Sequence, residues 1–459
     1  MTEQSIFAGA ALRRLRKRER LTQAAMAQRL GISPSYLNLM ERNQRPVSAR
    51  VVVLLVDQFE FDPRKLQADE SIGGVEGLAR RLGDERFADL DIDRDEAMEM
   101  LAAAPQASAA FARLYDAGGV APNTAPDAMI EARREIERWR NHFPDLDSAA
   151  EELADELRLS RGDIGAALTE RLRERHQIAI RILPREVLPD ALRRLDLHAR
   201  QLQLSEMLSP ASRVFQVALQ LAWLERRDDI RNLAQGAKVA DEEARKLFER
   251  HVAAYFAAAL VMPYGRFLRA CEATGYDLPV LQRRFGVSFE QLAHRLTTLQ
   301  RVGQRGLPFF MLRLDRAGQA SKRFAGASNS PLVEGDQRCP LWAATRAFER
   351  NRELVVQSVE LQDMPGAPAH WFTMARTVEG SGAPGEARFT VVVGLEARLA
   401  EDLAQARGLS LRTEDAQPIG LGCRRCLRED CRQRSFPPAN TALRFDPVAR
   451  SITPFDFAR

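Results

Sequence analysis

The tightest constraint in this chain is a corner near its start. Residues 23–30 and 34–41 are two short amphipathic stretches, and only Gly31-Ile32-Ser33 separates them. Thr22 stands where a helix N-cap belongs, with a side-chain oxygen that can take up a free backbone N–H. Gly31 tolerates the left-handed backbone that an abrupt helix exit requires. Ser33-Pro34 then restarts the chain as N-cap and first helical residue. The predicted inner sides are Ala24, Ala27 and Leu30 on the first helix and Tyr36 with Leu39/Met40 on the second. Ser35, Asn38 and Arg42 are expected to point outward. A preceding helix over 6–18 carries apolar Ala8, Ala11, Leu12 and Leu15 at i, i+3, i+4 and i+7, and a fourth helix is expected from Ser48 to about Phe59. Two short helices joined this way form a helix-turn-helix.

Charge points in the same direction. Residues 1–50 hold ten Lys or Arg against three Glu, whereas the whole chain carries 67 basic and 63 acidic residues, a net charge of only +4. A basic head on a near-neutral body suits a polyanion bound by the head alone. The run Leu21-Thr22-Gln23-Ala24-Ala25-Met26-Ala27, with Gly31-Ile32-Ser33 and Leu39-Met40-Glu41-Arg42-Asn43, resembles the Cro/lambda-repressor-like (XRE) family across about residues 8–66. The resemblance implies that Gln23, Ser33, Ser35, Tyr36 and Asn38 face double-stranded DNA, with Arg42 and Arg45 on phosphates. Amides and hydroxyls can read base edges, and arginines supply salt-dependent affinity.

At 459 residues the chain needs more than one core. No run reaches about 18 uninterrupted apolar residues, so no membrane span is expected. The charged segment Arg13–Arg18 follows the polar N-terminus without an apolar run behind it, an order unlike a signal peptide, so a cytoplasmic protein is expected. Five cysteines in such a chain argue against a disulfide framework, and Cys271 reads as a packed thiol.

Residues 67–130 read as helices on a connector. Further on, His176–Ile182 alternates like a strand, Gln201–Leu204 fits another, and helices are expected over Ala211–Glu225 and Glu242–Val261. Phe309–Asp315 and Lys322–Phe324 read as a hairpin. The helices around Arg213–Trp223 and Tyr255–Pro263 resemble the ImmA/IrrE metallopeptidase-like domain. Active members carry His-Glu-x-x-His, two zinc ligands one turn apart with a general base between them. Here those places hold Leu219, Gln220 and Trp223, none of which does that chemistry, and Glu249 is the nearest candidate for the acidic third ligand. No enzymatic activity is therefore expected.

The combination of helix-turn-helix, degenerate peptidase-like domain and cysteine-bearing tail resembles the short-chain fatty acyl-CoA-responsive regulators of propionate, methylcitrate-cycle and glyoxylate genes, across nearly the whole chain. The resemblance implies an acyl-CoA effector, with Tyr255, Phe256, Tyr264 and Phe267 lining an acyl channel and Arg266, Arg313, Lys322 and Arg323 holding phosphates.

In the tail, Cys423, Cys426 and Cys431 follow a C-x2-C-x4-C spacing, and Cys339 is the candidate fourth ligand. Four thiolates suit tetrahedral zinc or an iron–sulfur cluster, and spacing does not choose between them. Neighbouring Arg424, Arg425, Arg428, Arg432 and Arg434 would offset the negative charge. The resemblance favours a [4Fe–4S] cluster.

The expected layout is multidomain: an all-α helix-turn-helix domain over 1–70, a helical linker over 71–148, an α+β ImmA/IrrE-like effector domain over 149–325 and an α+β cysteine domain over 326–459. A homo-oligomer, dimer or tetramer, reading inverted repeats is the expected DNA-bound form. A DNA-bound metallopeptidase and a toxin–antitoxin-type binding module are the competing classes.

Overall fold

The computed structural model describes residues 9–41, 45, 47–59, 74–84, 87, 90–118, 127–159, 162–334, 338–361, 370–380, 387–439 and 441–457. The chain divides into two compact units, Met1–Ala125 and Pro126–Arg459.

The first unit is helical. Helices α1 (Gly9–Arg18), α2 (Gln23–Arg29), α3 (Pro34–Glu41) and α4 (Ala49–Phe59) close on one core of Leu12, Leu15, Met26, Ala27, Leu30, Leu37, Met40, Val51 and Leu55. The corner forms as its residues dictate. Thr22 accepts from the Ala25 N–H, Gly31 takes φ +62°, and the Ser33 hydroxyl accepts from the Tyr36 N–H. Two inward positions differ from expectation. Met26, not Ala24, is buried on α2, and Leu37 replaces Leu39 beside Met40 on α3. Both differences follow from the rotation of helices too short for their apolar stripe to be fixed by spacing alone. Helices α5 (Gly74–Leu82), α6 (Arg94–Ala103) and α7 (Pro105–Gly118) share a separate small core around Leu78, Leu82, Ala97 and Leu101.

The second unit begins with α8 (Ala128–Arg138) and α9 (Pro144–Glu156), both packed on the long α13 (Glu242–Val261). Thus part of the expected linker belongs to this unit, because Ala132, Ile136, Leu146, Ala150 and Leu153 bury into its core. Helix α10 (Ile164–His176) leads into a three-stranded sheet, β1 (Ala179–Leu183), β2 (Arg193–Asp196) and β3 (Gln201–Ser205), in the order β1-β3-β2. Helix α11 (Pro210–Glu225), N-capped by Ser209, lies against α13, and α12 (Arg227–Gln235) joins them. After α13 come α14 (Tyr264–Thr274), α15 (Leu278–Phe285) and α16 (Phe289–Thr297), the last closed by a Ser288–Gln291 capping box.

The hairpin β4 (Phe310–Leu314) and β5 (Ala320–Phe324) is part of a larger sheet with β6 (Val355–Leu361), β7 (His370–Glu379), β8 (Arg388–Glu396) and β9 (Gln417–Ile419), ordered β5-β4-β8-β7-β6-β9. Strand β4 pairs with β8 from Phe310↔Gly394 to Leu314↔Thr390. A domain boundary near 325 would cut this ladder. The sheet therefore joins the two expected α+β domains into one body, with short α17 (Ala343–Arg346) on its face and a terminal β10 (Leu443–Arg444)/β11 (Asp456–Phe457) pair. Gly394 sits where a Cβ would meet the Phe310 ring at 2.7 Å, so only glycine lets β4 and β8 close there. Among the described residues no helix is long and apolar enough to cross a membrane.

Candidate functional site

In the first unit, α3 carries Ser35, Tyr36 and Asn38, three of the residues the sequence reading assigned to DNA. Its inner residues Leu37 and Met40 are fully buried, while Ser33 and Ser35 are exposed and Tyr36 and Asn38 half-buried. One buried carboxylate sets its position. Glu41, 3% exposed, takes two bonds from the Arg16 guanidinium, at 2.6 and 3.0 Å, and one from Gln23 Nε2 at 2.8 Å. Burial would push Glu41 up, but these bonds and the charges of Arg16 and Arg13 outweigh it and hold the carboxyl below its ordinary value. Gln23 Nε2 also approaches Asn38 Oδ1 at 3.4 Å, so its amide nitrogen ties α2 to α3 and leaves its carbonyl edge for a partner. Arg45 is exposed, its guanidinium 5.9 Å over the Tyr36 ring. Arg42 lies outside the described residues.

The second unit holds a cleft of about 2140 Å³ between α8, α11, α13, α16, β2 and the large sheet. Arg133, Arg193, Arg250, Arg313, Lys322, Arg323, Arg352 and Arg376 line it against four carboxylates, Asp127, Asp190, Glu290 and Glu379. Of the sequence candidates for phosphate binding, Arg313, Lys322 and Arg323 are in the wall; Arg313 and Lys322 share Glu290 at 3.3 and 2.7 Å. Burial would raise the Glu290 carboxyl, and the two cations reverse that and lower it. Arg193 differs from its neighbours. Desolvation pulls its guanidinium below the ordinary value, and its Nη1 has no hydrogen-bond partner among the described residues.

The proposed acyl-channel aromatics sit elsewhere. Tyr255, Phe256, Tyr264 and Phe267 are fully buried in the core and do not line the cleft. Tyr255 donates to Asp147 at 2.6 Å, Tyr264 donates to the Gln304 carbonyl at 2.7 Å, and Phe267 packs edge-on against Phe285. Arg266 also leaves the cleft, pairing with Asp155. The physical reason is helical phase. On α13 the face toward the cleft is Leu247, Arg250, His251, Ala254 and Ala258, one position round from Tyr255 and Phe256. The same phase excludes Glu249 as a pocket ligand. Leu219 and Trp223, read from the sequence as peptidase-motif positions, do line the cleft, as do the apolar Phe215, Met311 and Phe324.

Sequence reading missed three polar residues there. His251 and His294 both line the cleft, and Asn141 bridges them: His251 Nε2 lies 2.8 Å from Asn141 Oδ1, and Asn141 Nδ2 lies 3.2 Å from His294 Nε2. Burial holds both imidazoles down, His251 to about 3, with Lys322 adding to each shift. Nothing in local spacing joins positions 141, 251 and 294. The available signal was only that the histidines are few, six in the chain.

The four tail cysteines are partly buried and unpaired. Gly422 takes φ +106° to turn the chain into Cys423, and a Cβ on Gly420 would meet the Cys426 sulfur at 2.8 Å. Burial raises the Cys339 thiol, backbone N–H groups of Gly420 and Leu341 pull it back, and Cys426 and Cys431 are near enough for their charges to raise it. The Ser435 N–H reaches the Cys423 sulfur at 3.5 Å. Arg434, 4% exposed, stitches the loop by donating to the carbonyls of Cys423, Cys426, Arg428 and Phe436. Its charge meets no carboxylate among the described residues. Also among them, no three His, Cys, Asp or Glu side chains converge on a metal position.

Comparison with known proteins decides the family. Residues 8–68 match a helix-turn-helix domain, 173–297 an IrrE N-terminal-like domain, and 298–455 the C-terminal domain of short-chain fatty acyl coenzyme A regulators. The HTH-type transcriptional regulator RamB of Mycobacterium tuberculosis is 35% identical, with 98% of each chain covered. This chain belongs to the RamB/PrpR family. PrpR of the same organism is 34% identical over 98% of this chain and 95% of its own, and the propionyl-CoA carboxylase regulator of Cereibacter sphaeroides 34% over 99% of each. A solved M. tuberculosis transcriptional regulator, 34% identical, superposes with a TM-score of 0.66 over 72% of this chain and 100% of its own. As a RamB/PrpR-type protein the chain is a DNA-binding transcription regulator and not an enzyme. Leu219 and Trp223, within the IrrE-like match over 173–297, have side chains that cannot ligate zinc.

Proposed function

We propose that the cleft binds a short-chain acyl-CoA and that its occupancy sets how the regulator engages its operator. The observation that carries this is one cleft lined both by an excess of cations and by a set of apolar side chains. Eight cations face four carboxylates, and Arg193 is desolvated with its Nη1 unpartnered among the described residues, an arrangement that costs stability until an anion arrives. The phosphates of CoA supply that anion, with Arg193 and Arg250 added to Arg313, Lys322 and Arg323. The apolar lining residues Phe215, Leu219, Trp223, Met311 and Phe324 suit a short acyl chain. The family match over 298–455 and the propionyl-CoA carboxylase regulator of Cereibacter favour the same ligand class. An effector acts only through different affinities for two states, so binding shifts the population of DNA-competent oligomers, dimers or tetramers on inverted repeats.

The tail reads best as a thiolate-bound metal centre, iron–sulfur or zinc, held by Cys339, Cys423, Cys426 and Cys431. The donor chemistry fits. A buried Arg434 without a carboxylate among the described residues and N–H groups leaning on two sulfurs both suit a negatively charged tetrathiolate site. When bound, the centre would stabilise the loop, and Arg434 would hold its carbonyls in place.

Calorimetric titration of the full chain with a three-carbon acyl-CoA tests the first reading; micromolar binding that alters retention of a promoter fragment is expected, and absence of any CoA binding overturns it. Anaerobic purification with iron, sulfide and zinc analysis tests the second. Less than about a tenth of a metal equivalent per chain overturns it.

A further inference from the structure

The histidine pair in the cleft has hydrogen-bond directions that can be worked out. The Thr297 hydroxyl donates to the His294 carbonyl at 2.7 Å, so toward Asn141 it can only accept, and Asn141 Nδ2 donates to it at 2.9 Å. That fixes the amide: Nδ2 faces Thr297 and His294, and Oδ1 faces His251. His251 must therefore donate through Nε2–H, which makes its Nδ1 a lone pair. His294 must accept at Nε2, which places its proton on Nδ1. No hydrogen bond engages either Nδ1 among the described residues, and neither atom is sealed away from the cleft that both rings line. Phe324 stacks on His251 at 5.3 Å and meets His294 edge-on at 4.7 Å, so the ring planes are held as well as the tautomers.

The Phe324 ring packs on both imidazoles, and Lys322, itself paired with Glu290, is close enough for its charge to act on both. The pair offers one fixed neutral donor, His294 Nδ1–H, beside one fixed acceptor, His251 Nδ1. A neutral carbonyl oxygen is matched by the single donor. We propose that His294 Nδ1–H donates to the carbonyl oxygen of the acyl thioester, and that Asn141 is the positioning residue that fixes this donor. The inference rests on the reading of the cleft as an acyl-CoA site and adds which atom of the ligand is recognised and by what.

The test compares three ligands on the full-length protein by calorimetry: a three-carbon acyl-CoA thioester, its S-propyl-CoA thioether, which lacks only the carbonyl, and free CoA. The native protein is expected to prefer thioester over thioether by about tenfold, the scale of one hydrogen bond. His294→Leu brings that ratio to about one, and His294→Asn, which keeps an N–H near the same place, retains several-fold preference. Asn141→Asp removes no ring but presents only acceptors, moving the His294 proton to Nε2; the ratio again falls to about one, while binding of free CoA reports that the site is folded. A native ratio near one, or a ratio unchanged by Asn141→Asp, overturns the proposal. If none of the three ligands binds the native protein, the acyl-CoA reading itself falls and this inference with it.

Discussion

Helix α3 and the cleft of the second unit are built in opposite ways. Helix α3 and its N-cap present Ser33, Ser35, Tyr36 and Asn38 from one continuous stretch of chain, held by an internal clamp of Arg16, Gln23 and Glu41. The cleft draws Arg193 from β2, Leu219 and Trp223 from α11, His251 from α13, His294 from α16 and Arg313 from β4, and its polar hinge Asn141 from the turn after α8. A surface made from one helix is set by helical spacing and survives changes elsewhere. A surface made from six elements is set by how the core places them, so its weak points lie beneath it.

The most severe break should come below the cleft. Asp147 and Arg295 are both fully buried and paired at 2.6 Å, with Tyr255 on the second carboxylate oxygen. Asp147→Asn leaves the Arg295 charge uncompensated and should cost about 3–5 kcal/mol. All four tryptophans, Trp139, Trp223, Trp342 and Trp371, lie in the second unit, so denaturation followed by tryptophan fluorescence reads that loss there. Acid should act through the same pair. Burial alone would raise Asp147, but the Arg295 charge and the bonds from His142, Tyr255 and Arg295 hold it below its ordinary value. Its contribution is complete above the unfolded carboxylate value and lost as pH falls through the lowered folded one.

A smaller but more specific break is expected on α3. Tyr36→Ala together with Asn38→Ala should reduce preference for the promoter over random DNA by about 1–3 kcal/mol for each base no longer read, with helix content by circular dichroism unchanged. Electrophoretic retention with competitor DNA at moderate salt measures it; undiminished preference would mean α3 does not read bases. Arg193→Gln should weaken free CoA binding about tenfold, the magnitude of a charge-assisted bond, while leaving promoter retention in the absence of ligand intact.

The mildest effect is a pH slope. His251 and His294 are lowered in the folded protein, so between pH 6.5 and about 3 the unfolded chain binds protons that the folded chain refuses. Stability contributed by the neutral pair is therefore complete above pH 6.5 and declines as pH falls. Lys322 acts on both rings and Arg295 on His294 as charged neighbours that favour the neutral imidazole. Replacing both histidines by Gln should flatten the slope between about pH 6.5 and 5, measured by urea midpoints; an unaltered slope would place the titration elsewhere.

Local order determined what could be read without the fold. Thr22, Gly31 and Ser33-Pro34 each act on their immediate neighbours through capping or φ, and the helix-turn-helix corner formed where they put it. The long helix Glu242–Val261 and the β4–β5 hairpin were equally legible, because periodicity and turn chemistry act over short stretches of chain.

Only tertiary packing decided the rest. Tyr255 and Phe256 looked like pocket residues but face the core, because burying the α9 side of α13 turned His251 and Ala254 to the cleft instead. Pairing of β4 with β8 erased a boundary that composition suggested near 325. The bonds from Asn141 to residues 110 and 153 positions away leave no trace in spacing. Capping and periodicity are short-range and chemically specific; the phase of a helix and the meeting of distant side chains depend on the free energy of the whole core.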